Sequence, residues 1–464
     1  MSGWDLAIVA GYGLVLVGVG LYFLRRQTDT DAYFVGNRRM GAGHLGLSIV
    51  ATDVGGGFSI GLGGLGFTMG LSGSWLLFTG LVGAWIAAVL IIPRVKPLGE
   101  ELGWTTFPDY LEHRFDGRTR TLAAVVSAVG YAAFVGAQIL AGAKLSSVAF
   151  QIDLTTAVLV MAAIVILYTT LGGLEAVVYT DTLQWAVLFG GLLFFGLPFG
   201  FEAVGGLEGL RAGLPEGHLS LSNVDGQTLL VWAVTIIPIW FVGNTLYQRI
   251  YASRDVKTAR RAFYLAGLFE WPLIAFLGVT LGVFARILFP EVEPELGLPM
   301  LIREVLPVGV VGILMAAYFS AIMSTADSCL LASVGNLVGD LIEPHLGERA
   351  SEARLLKLSR ALTLLVGALS VGVALALPGV LDAVLLAYAF MVSGLFVPTL
   401  AGLLWPRTGA RAAFWSMLVG GGVAVTLNLV PAWAPGPDPV IPAILASAAV
   451  LIVLTLLSPR EARA

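Results

Sequence analysis

The chain has 464 residues, of which 57% are hydrophobic and only 12% charged, with 58 glycines. A soluble domain of this size needs far more surface charge, and repeated apolar stretches of about 20 residues, each able to cross a ~30 Å hydrocarbon layer, define an all-α integral membrane protein. The net charge of -4 says little about partners, and the single cysteine, Cys329, excludes an internal disulfide and a multi-cysteine metal site.

The first segment, MSGWDLAIVAGYGLVLVGVGLYFLRR, lacks a basic start and a small-residue cleavage site. It is expected to be a spanning helix stopped by Arg25 and Arg26 rather than a cleaved signal. With 6–24 as the first, apolar segments follow at 44–70, 73–93, 121–143, 154–172, 178–200, 228–248 and 263–285. They continue at 307–339, 361–378, 383–404, 412–431 and 439–457, which predicts about 13 transmembrane helices in a single transmembrane domain over 1–464. The segment 307–339 is overlong for one span. No strand alternation, low-complexity tail or soluble domain interrupts the series.

Lys and Arg are distributed unevenly between alternate loops. With the N-terminus outside, 22 of the 26 basic residues fall on the inner side, and only Lys144, Arg211, Arg286 and Arg303 fall on the outer side. One miscounted helix would invert every later loop, so this bias predicts an odd number of spans, N-terminus outside and C-terminus cytoplasmic, in the plasma (inner) membrane.

With these boundaries the spans contain four acids, Asp53, Asp181, Glu270 and Asp327, and no Lys or Arg. A carboxylate in hydrocarbon costs several kcal/mol unless it is paired, protonated or solvated. The missing positive charge is therefore expected to be a mobile cation or a proton. The stretch AIMSTADSCLLAS (321–333) places Ser324, Asp327 and Ser328 at i, i+3 and i+4 on one helix face, with Thr325 beside them. Hydroxyl and carbonyl oxygens suit weak, reversible binding of a hard cation. The competing structural reading has these hydroxyls bonding their own i−4 carbonyls or joining helices.

In ATDVGGGFSIGLGGLGF (51–67), Gly55, Gly56 and Gly57 fall mid-span, where each costs a helix up to ~1 kcal/mol. One reading is a helix interruption, tolerated at membrane depth only beside a cavity; the other is close helix packing through small residues. Asp181 lies near the inner end of its span and could be an interfacial acid. Glu270, with no hydroxyl cluster beside it, is expected to be a neutral acid bonded between helices.

These motifs resemble the sodium:solute symporter family. The resemblance runs through DAYFVGNRRMG (31–41), TFPDYLEHRF (106–115), GGLEAVVYTDTLQ (172–184), GNTLYQRIYASRD (243–255), AAYFSAIMSTADSCLL (316–331) and the acid of GDL at Asp340. It implies a LeuT-like core of two inverted five-helix repeats with broken helices. Spans 2–6 (44–200) and 7–11 (228–404) would form the repeats, with 1–43 and 405–464 peripheral. It also implies a sodium ion held by the carbonyls of Ala51, Val54 and Ala321 and the hydroxyls of Ser324 and Thr325. An acid matching Asp53 occurs in the proline-transporting branch. Asp181, Ser324, Asp327 and Ser328 match a further sodium site of the sialic acid branch, although Asp stands at 327 where that branch has a serine.

The sugar-binding members carry polar amides and acids after the first helix break, where this chain has Gly57 and Phe58, which counts against a sugar. Phe134 in FVGAQILAGAK occupies the place of a pocket aromatic, Gln138 is placed facing the same cavity, and Trp240 and Asn244 take pocket-facing or packing positions. The implied activity is sodium-coupled import of a small organic solute, an amino acid or carboxylate before vitamin-like acids and sugars. The alternatives are a proton-coupled carrier and a non-accumulating pore or sensor. No GxxxxGK[ST] loop or nucleotide module is present, so no enzymatic chemistry is expected. The expected partners are sodium, the solute and the bilayer, for a monomer that binds no nucleic acid.

Overall fold

In hydrocarbon every backbone N–H and C=O must be paired within the chain, so each long apolar run closes its own ladder as a helix. The computed structural model describes residues 1–24, 38–171, 184–346, 351–434, 436 and 438–458; the side chains of a few helical residues, Gly56, Gly57 and Phe58 among them, lie outside that description. In chain order the helices are α1 (Gly3–Leu24), α2 (Ala42–Asp53), α3 (Gly55–Met69), α4 (Trp75–Leu90), α5 (Ile92–Glu101), α6 (Phe107–Arg114), α7 (Gly117–Phe150) and α8 (Leu154–Leu171). They continue with α9 (Gln184–Ala203), α10 (Gly206–Gly213), α11 (Gly226–Val242), α12 (Asn244–Ala252), α13 (Val256–Leu288) and α14 (Pro294–Val305). The last are α15 (Val310–Leu346), α16 (Glu352–Ala376), α17 (Val380–Leu404), α18 (Ala410–Leu429) and α19 (Val440–Leu457).

Each predicted apolar segment falls on described helix in whole or in part. By length and hydropathy, nine helices among the described residues can cross a membrane, or ten if the bent pair α11–α12 is one span. That is fewer than the predicted thirteen, for identifiable reasons. The break at Val54 leaves α2 with 12 residues and α3 with 15. A 3-10 turn at Gly70–Ser74 then joins α3 to α4, so that Ser59–Leu90 runs as one stretch.

Among the described residues a helix breaks in the second predicted segment and another in the seventh, and a kink at Trp271 interrupts α13. The first break lies between α2 and α3, where Gly55 has φ +39. The second lies at Gly243, where α11 and α12 meet at 43°. Small residues let α3 cross α13 closely: a Cβ on Gly66 would overlap the Val279 carbonyl, and one on Gly282 the Gly63 carbonyl. The overlong segment 307–339 is a single helix, α15, whose later part, Asn336–Ile342, widens into π-helical turns.

Ion pairs hold both ends of the 34-residue α7. Near its start, Arg120 meets Asp109 at 3.0 Å, Glu112 at 2.6 Å and Asp340 at 3.0 Å. Thr106 caps α6 and also donates to Asp340 at 2.9 Å. The recurrent fragments TFPDYLEHRF and GDL thus meet in one cluster that ties α6, α7 and α15. Near the far end, Lys144 is 1% exposed and pairs with Glu293 and, at 2.7 Å, with Glu295.

Glu295 in turn accepts from the N–H groups of Val380 and Leu381 at 2.9 and 3.0 Å, capping α17. Lys144 was expected in an outer loop; α7 extends past the predicted boundary and buries it. Replacing Glu295 with Ala should remove the cap and one partner of a buried ammonium, lowering stability by about 2 kcal/mol. Thermal unfolding in detergent should show the drop, with the exposed Glu291→Ala as the unchanged control.

Candidate functional site

The first helix break and α15 meet at residues 51–55 and 321–325. Val54 closes α2 by donating its N–H to the Val50 carbonyl at 2.9 Å, and the chain then turns through the positive φ of Gly55 into α3. A Cβ at Gly55 would overlap the Thr325 hydroxyl, so glycine is required there twice over, for its dihedral angle and for the approach of α15. Through that gap Thr325 Oγ1 donates to the Ala51 carbonyl at 2.8 Å and lies 3.0 Å from the Ala321 carbonyl. Ser324 Oγ donates to the Ala321 carbonyl at 3.1 Å.

Ala51, Val54, Gly55, Ala321 and Ser324 also line a narrow cavity, together with Ser59 and with Gln184, Trp185 and Leu188 of α9. Carbonyls and hydroxyls from two elements therefore converge on a small space, with no carboxylate among them. Such neutral oxygens suit a weakly held hard cation. Ala51, Val54, Ala321, Ser324 and Thr325 are thus brought together; the triple-glycine stretch breaks the helix at its first glycine, and the backbone of Gly56 and Gly57 lies in the first turn of α3.

The residues of the second candidate cation site are arranged differently. Asp181 lies outside the described residues. Asp327 is buried and accepts from the Thr169 hydroxyl of α8. Ser328 accepts from Arg249 at 2.8 Å, and the same Nη2 donates to Thr52 at 2.9 Å and to Ser48 at 3.3 Å.

Arg249, 1% exposed, overturns the expectation that the membrane interior holds no basic side chain. The sequence reading ended the seventh segment at residue 248 and left Arg249 in the following loop. The bend at Gly243 instead carries α12 back against α2 and α15, where its guanidinium joins three helices. A built-in positive charge therefore shares the hydroxyl of Ser328.

The solute-side residues divide in the same way. Asp53 is buried and accepts from the Tyr388 hydroxyl of α17 at 2.9 Å; the Tyr388 ring stacks on Phe134 at 5.0 Å. Tyr388 escaped the sequence reading, for it stands in an apolar run with no polar neighbour to mark it. Gln138 is buried one turn beyond Phe134 on α7. Trp240 is buried with its ring edge-on to Phe263 and pressed against Gly83.

Asn244 accepts from the N–H of Phe107 at 2.8 Å and donates to the Ala332 carbonyl at 3.2 Å, bracing the start of α12. Glu270 was expected to be bonded between helices, but neither of its carboxyl oxygens has a hydrogen-bond partner among the described residues.

A helix-breaking oxygen cluster inside a multi-helix membrane core is the architecture of a cation-coupled carrier. The sodium:solute symporter family model matches residues 33–420. The chain therefore belongs to the sodium:solute symporter family, as a multi-pass membrane transporter whose coupling ion is sodium.

The human sodium/myo-inositol cotransporter 2 is 30% identical over 468 residues, spanning 90% of this chain and 68% of that protein. The osmoregulated proline transporter of Bacillus subtilis is 25% identical over 472 residues, spanning 98% and 94%. The fold matches the substrate-bound outward-open structure of a Na+-coupled sialic acid symporter, with TM-score 0.81, 21% identity and 99% of both chains covered. It also matches a nucleobase-cation-symport-1 family transporter in a closed conformation, with TM-score 0.61, 14% identity, and 94% and 98% covered.

Gly55→Ala should cost about 1–3 kcal/mol from the backbone dihedral alone and should push Thr325 off the Ala51 carbonyl. The variant is expected to lose the rise in melting temperature that sodium gives the parent. Gly41→Ala, where a Cβ meets nothing within 4 Å, should keep it.

Proposed function

We propose that the chain imports a small organic solute together with sodium by alternating access, and that the ion binds at the carbonyls of Ala51, Val54 and Ala321 and the hydroxyls of Ser324 and Thr325. The observation that carries this reading is the Thr325 hydroxyl reaching the Ala51 carbonyl across the Gly55 break. In this conformation that hydroxyl serves oxygens that a sodium ion would bridge. Ion binding therefore exchanges a hydrogen bond between α2 and α15 for coordination, which couples the ion to the relative placement of the two elements.

An inward-moving positive charge releases about 2.3 kcal/mol per 100 mV of membrane potential, enough to drive a solute uphill. Two inverted repeats, 44–200 and 228–404, each opening on a broken helix, form the core of about thirteen spans. The Lys and Arg bias supports an N-terminus outside and a cytoplasmic C-terminus in the plasma membrane, and the protein acts as a monomer. Asp181, Asp327 and Ser328 remain a second cation site in this reading, with Arg249 as a tethered charge beside it.

The solute is an amino acid or carboxylate. A carboxylate would meet the sodium ion and the N-terminal turn of α3, whose first N–H groups follow the break at Gly55–Gly57. Asp53, Phe134, Gln138 and Trp240 border the solute, and Tyr388 joins them through its bond to Asp53. Ser324→Ala together with Thr325→Ala should abolish sodium-stimulated uptake in proteoliposomes while leaving a folded, monodisperse protein. Uptake that kept its full sodium dependence would refute the site.

A further inference from the structure

We propose that Glu270 is a solute-recognising acid, and that the solute carries a positively charged nitrogen beside any carboxylate. This rests on the symport reading above and narrows its solute class.

Glu270 sits at the bend of α13, where Trp271 leaves helical geometry at φ -137 and ψ 123 and Pro272 follows. The side chain is 0% exposed, and both carboxyl oxygens are without a hydrogen-bond partner among the described residues. Protonation does not cure this. A neutral acid still presents an O–H with nothing to accept it, and a buried polar group left so is strongly unfavourable.

The neighbours make room for the group and do nothing to satisfy it. Gly80 of α4 faces Oε2, where a Cβ would stand 2.5 Å away, and Ile236 of α11 lies on the same side. Asp53, another acid, is near enough for its charge to act against one on Glu270.

Glu270 is enclosed by protein, and residues of its own helix reach the cavity beside the oxygens proposed for sodium. Ile274 and Leu277, which follow Glu270 on α13, line the cavity beside the sodium oxygens, and Ala51 and Val54, which flank Asp53, line it too. Trp240 follows Ile236 by one turn and presses on Gly83, one turn after Gly80. Asp53 is thus tied to the Phe134–Tyr388 stack, while Glu270 and the buried indole of Trp240 meet successive glycines, Gly80 and Gly83, of α4.

Sodium at the neutral oxygens supplies one positive charge for two acids. A polyol could donate hydrogen bonds to Glu270 but would leave its charge unmatched, whereas an ammonium group meets both needs and is also favoured by aromatic faces.

The test uses the full-length transporter in detergent and in proteoliposomes, with glycine, L-proline, glycine betaine, choline, lactate and myo-inositol as probes in sodium and in sodium-free buffer. At least one nitrogen-bearing cation or zwitterion should bind the parent in sodium. Glu270→Gln should weaken that binding tenfold or more while sodium still raises the melting temperature. Glu270→Asp should retain part of the affinity, and Gly80→Ala, which crowds the carboxyl, should lose it; these two variants serve if Glu270→Gln fails to fold. Binding of lactate or myo-inositol in place of every nitrogen-bearing probe, no probe bound at all while sodium still stabilises, or undiminished amine binding by Glu270→Gln would each overturn the proposal without touching the symport reading. Loss of sodium stabilisation in the parent would bring down both.

Discussion

The rest of the site depends on the fit of one hydroxyl into the space of one missing side chain. Thr325 reaches the Ala51 carbonyl only because residue 55 carries no Cβ and takes a positive φ. A helix broken inside a membrane exposes carbonyls that neither lipid nor the helix itself can satisfy. Thr325 supplies what the Ala51 carbonyl lacks from a second helix, with a hydroxyl able to turn from donor to ligand, while Ser324 bonds the Ala321 carbonyl of its own helix. In the sodium-site reading proposed above, the same feature that makes the break tolerable would make it responsive to an ion, since a cation and a hydroxyl hydrogen compete for the same oxygen.

Charge inside the protein is distributed unequally around this point. Beside Ser328, the guanidinium of Arg249 bonds hydroxyls from α2 and α15, so that flank carries its own cation. Beside Asp53 and Glu270 no such group stands among the described residues, and the acids have only Tyr388 between them as a donor. A demand for a mobile positive charge, inferred from sequence for the whole interior, is thus concentrated on one flank. The asymmetry follows from the second break: bent by 43° at Gly243, α12 returns into the core on the side of α2 and α15.

What was legible in the sequence was whatever a periodicity or a local cost reveals. Long apolar runs marked the helices, and the three adjacent glycines at 55–57 marked a place where either a break or close helix packing had to occur. Ser324 and Thr325 were legible because hydroxyls cluster in an otherwise apolar face. Arg249 and Lys144 were misplaced for a common reason: hydropathy locates the apolar part of a helix, not where its polar end is buried by neighbours. The bracing role of Asn244 was not legible because its partners, the Phe107 N–H and the Ala332 carbonyl, are backbone groups distant in sequence, which no side-chain pattern announces. Tyr388 was invisible for the converse reason, its one polar atom being satisfied by an acid 335 positions away.

The two ion-pair clusters give α7 a part in the cycle that its composition alone does not suggest. Arg120 and Lys144 stand near opposite ends of the helix, each joined to elements that also contact a broken helix or its neighbour. At one end Arg120 and Thr106 hold Asp340 at the end of α15; at the other, Lys144 holds the acid that caps α17 and packs on Gly64 of α3. If the chain opens alternately to two sides, as proposed above, it needs ties at each end that close firmly and still release. Partly buried ion pairs suit that role better than apolar contacts, because water entering an opening vestibule solvates the separated charges and lowers the cost of parting them. In this arrangement α7 is the member to which the end of α15 and the start of α17 are tied.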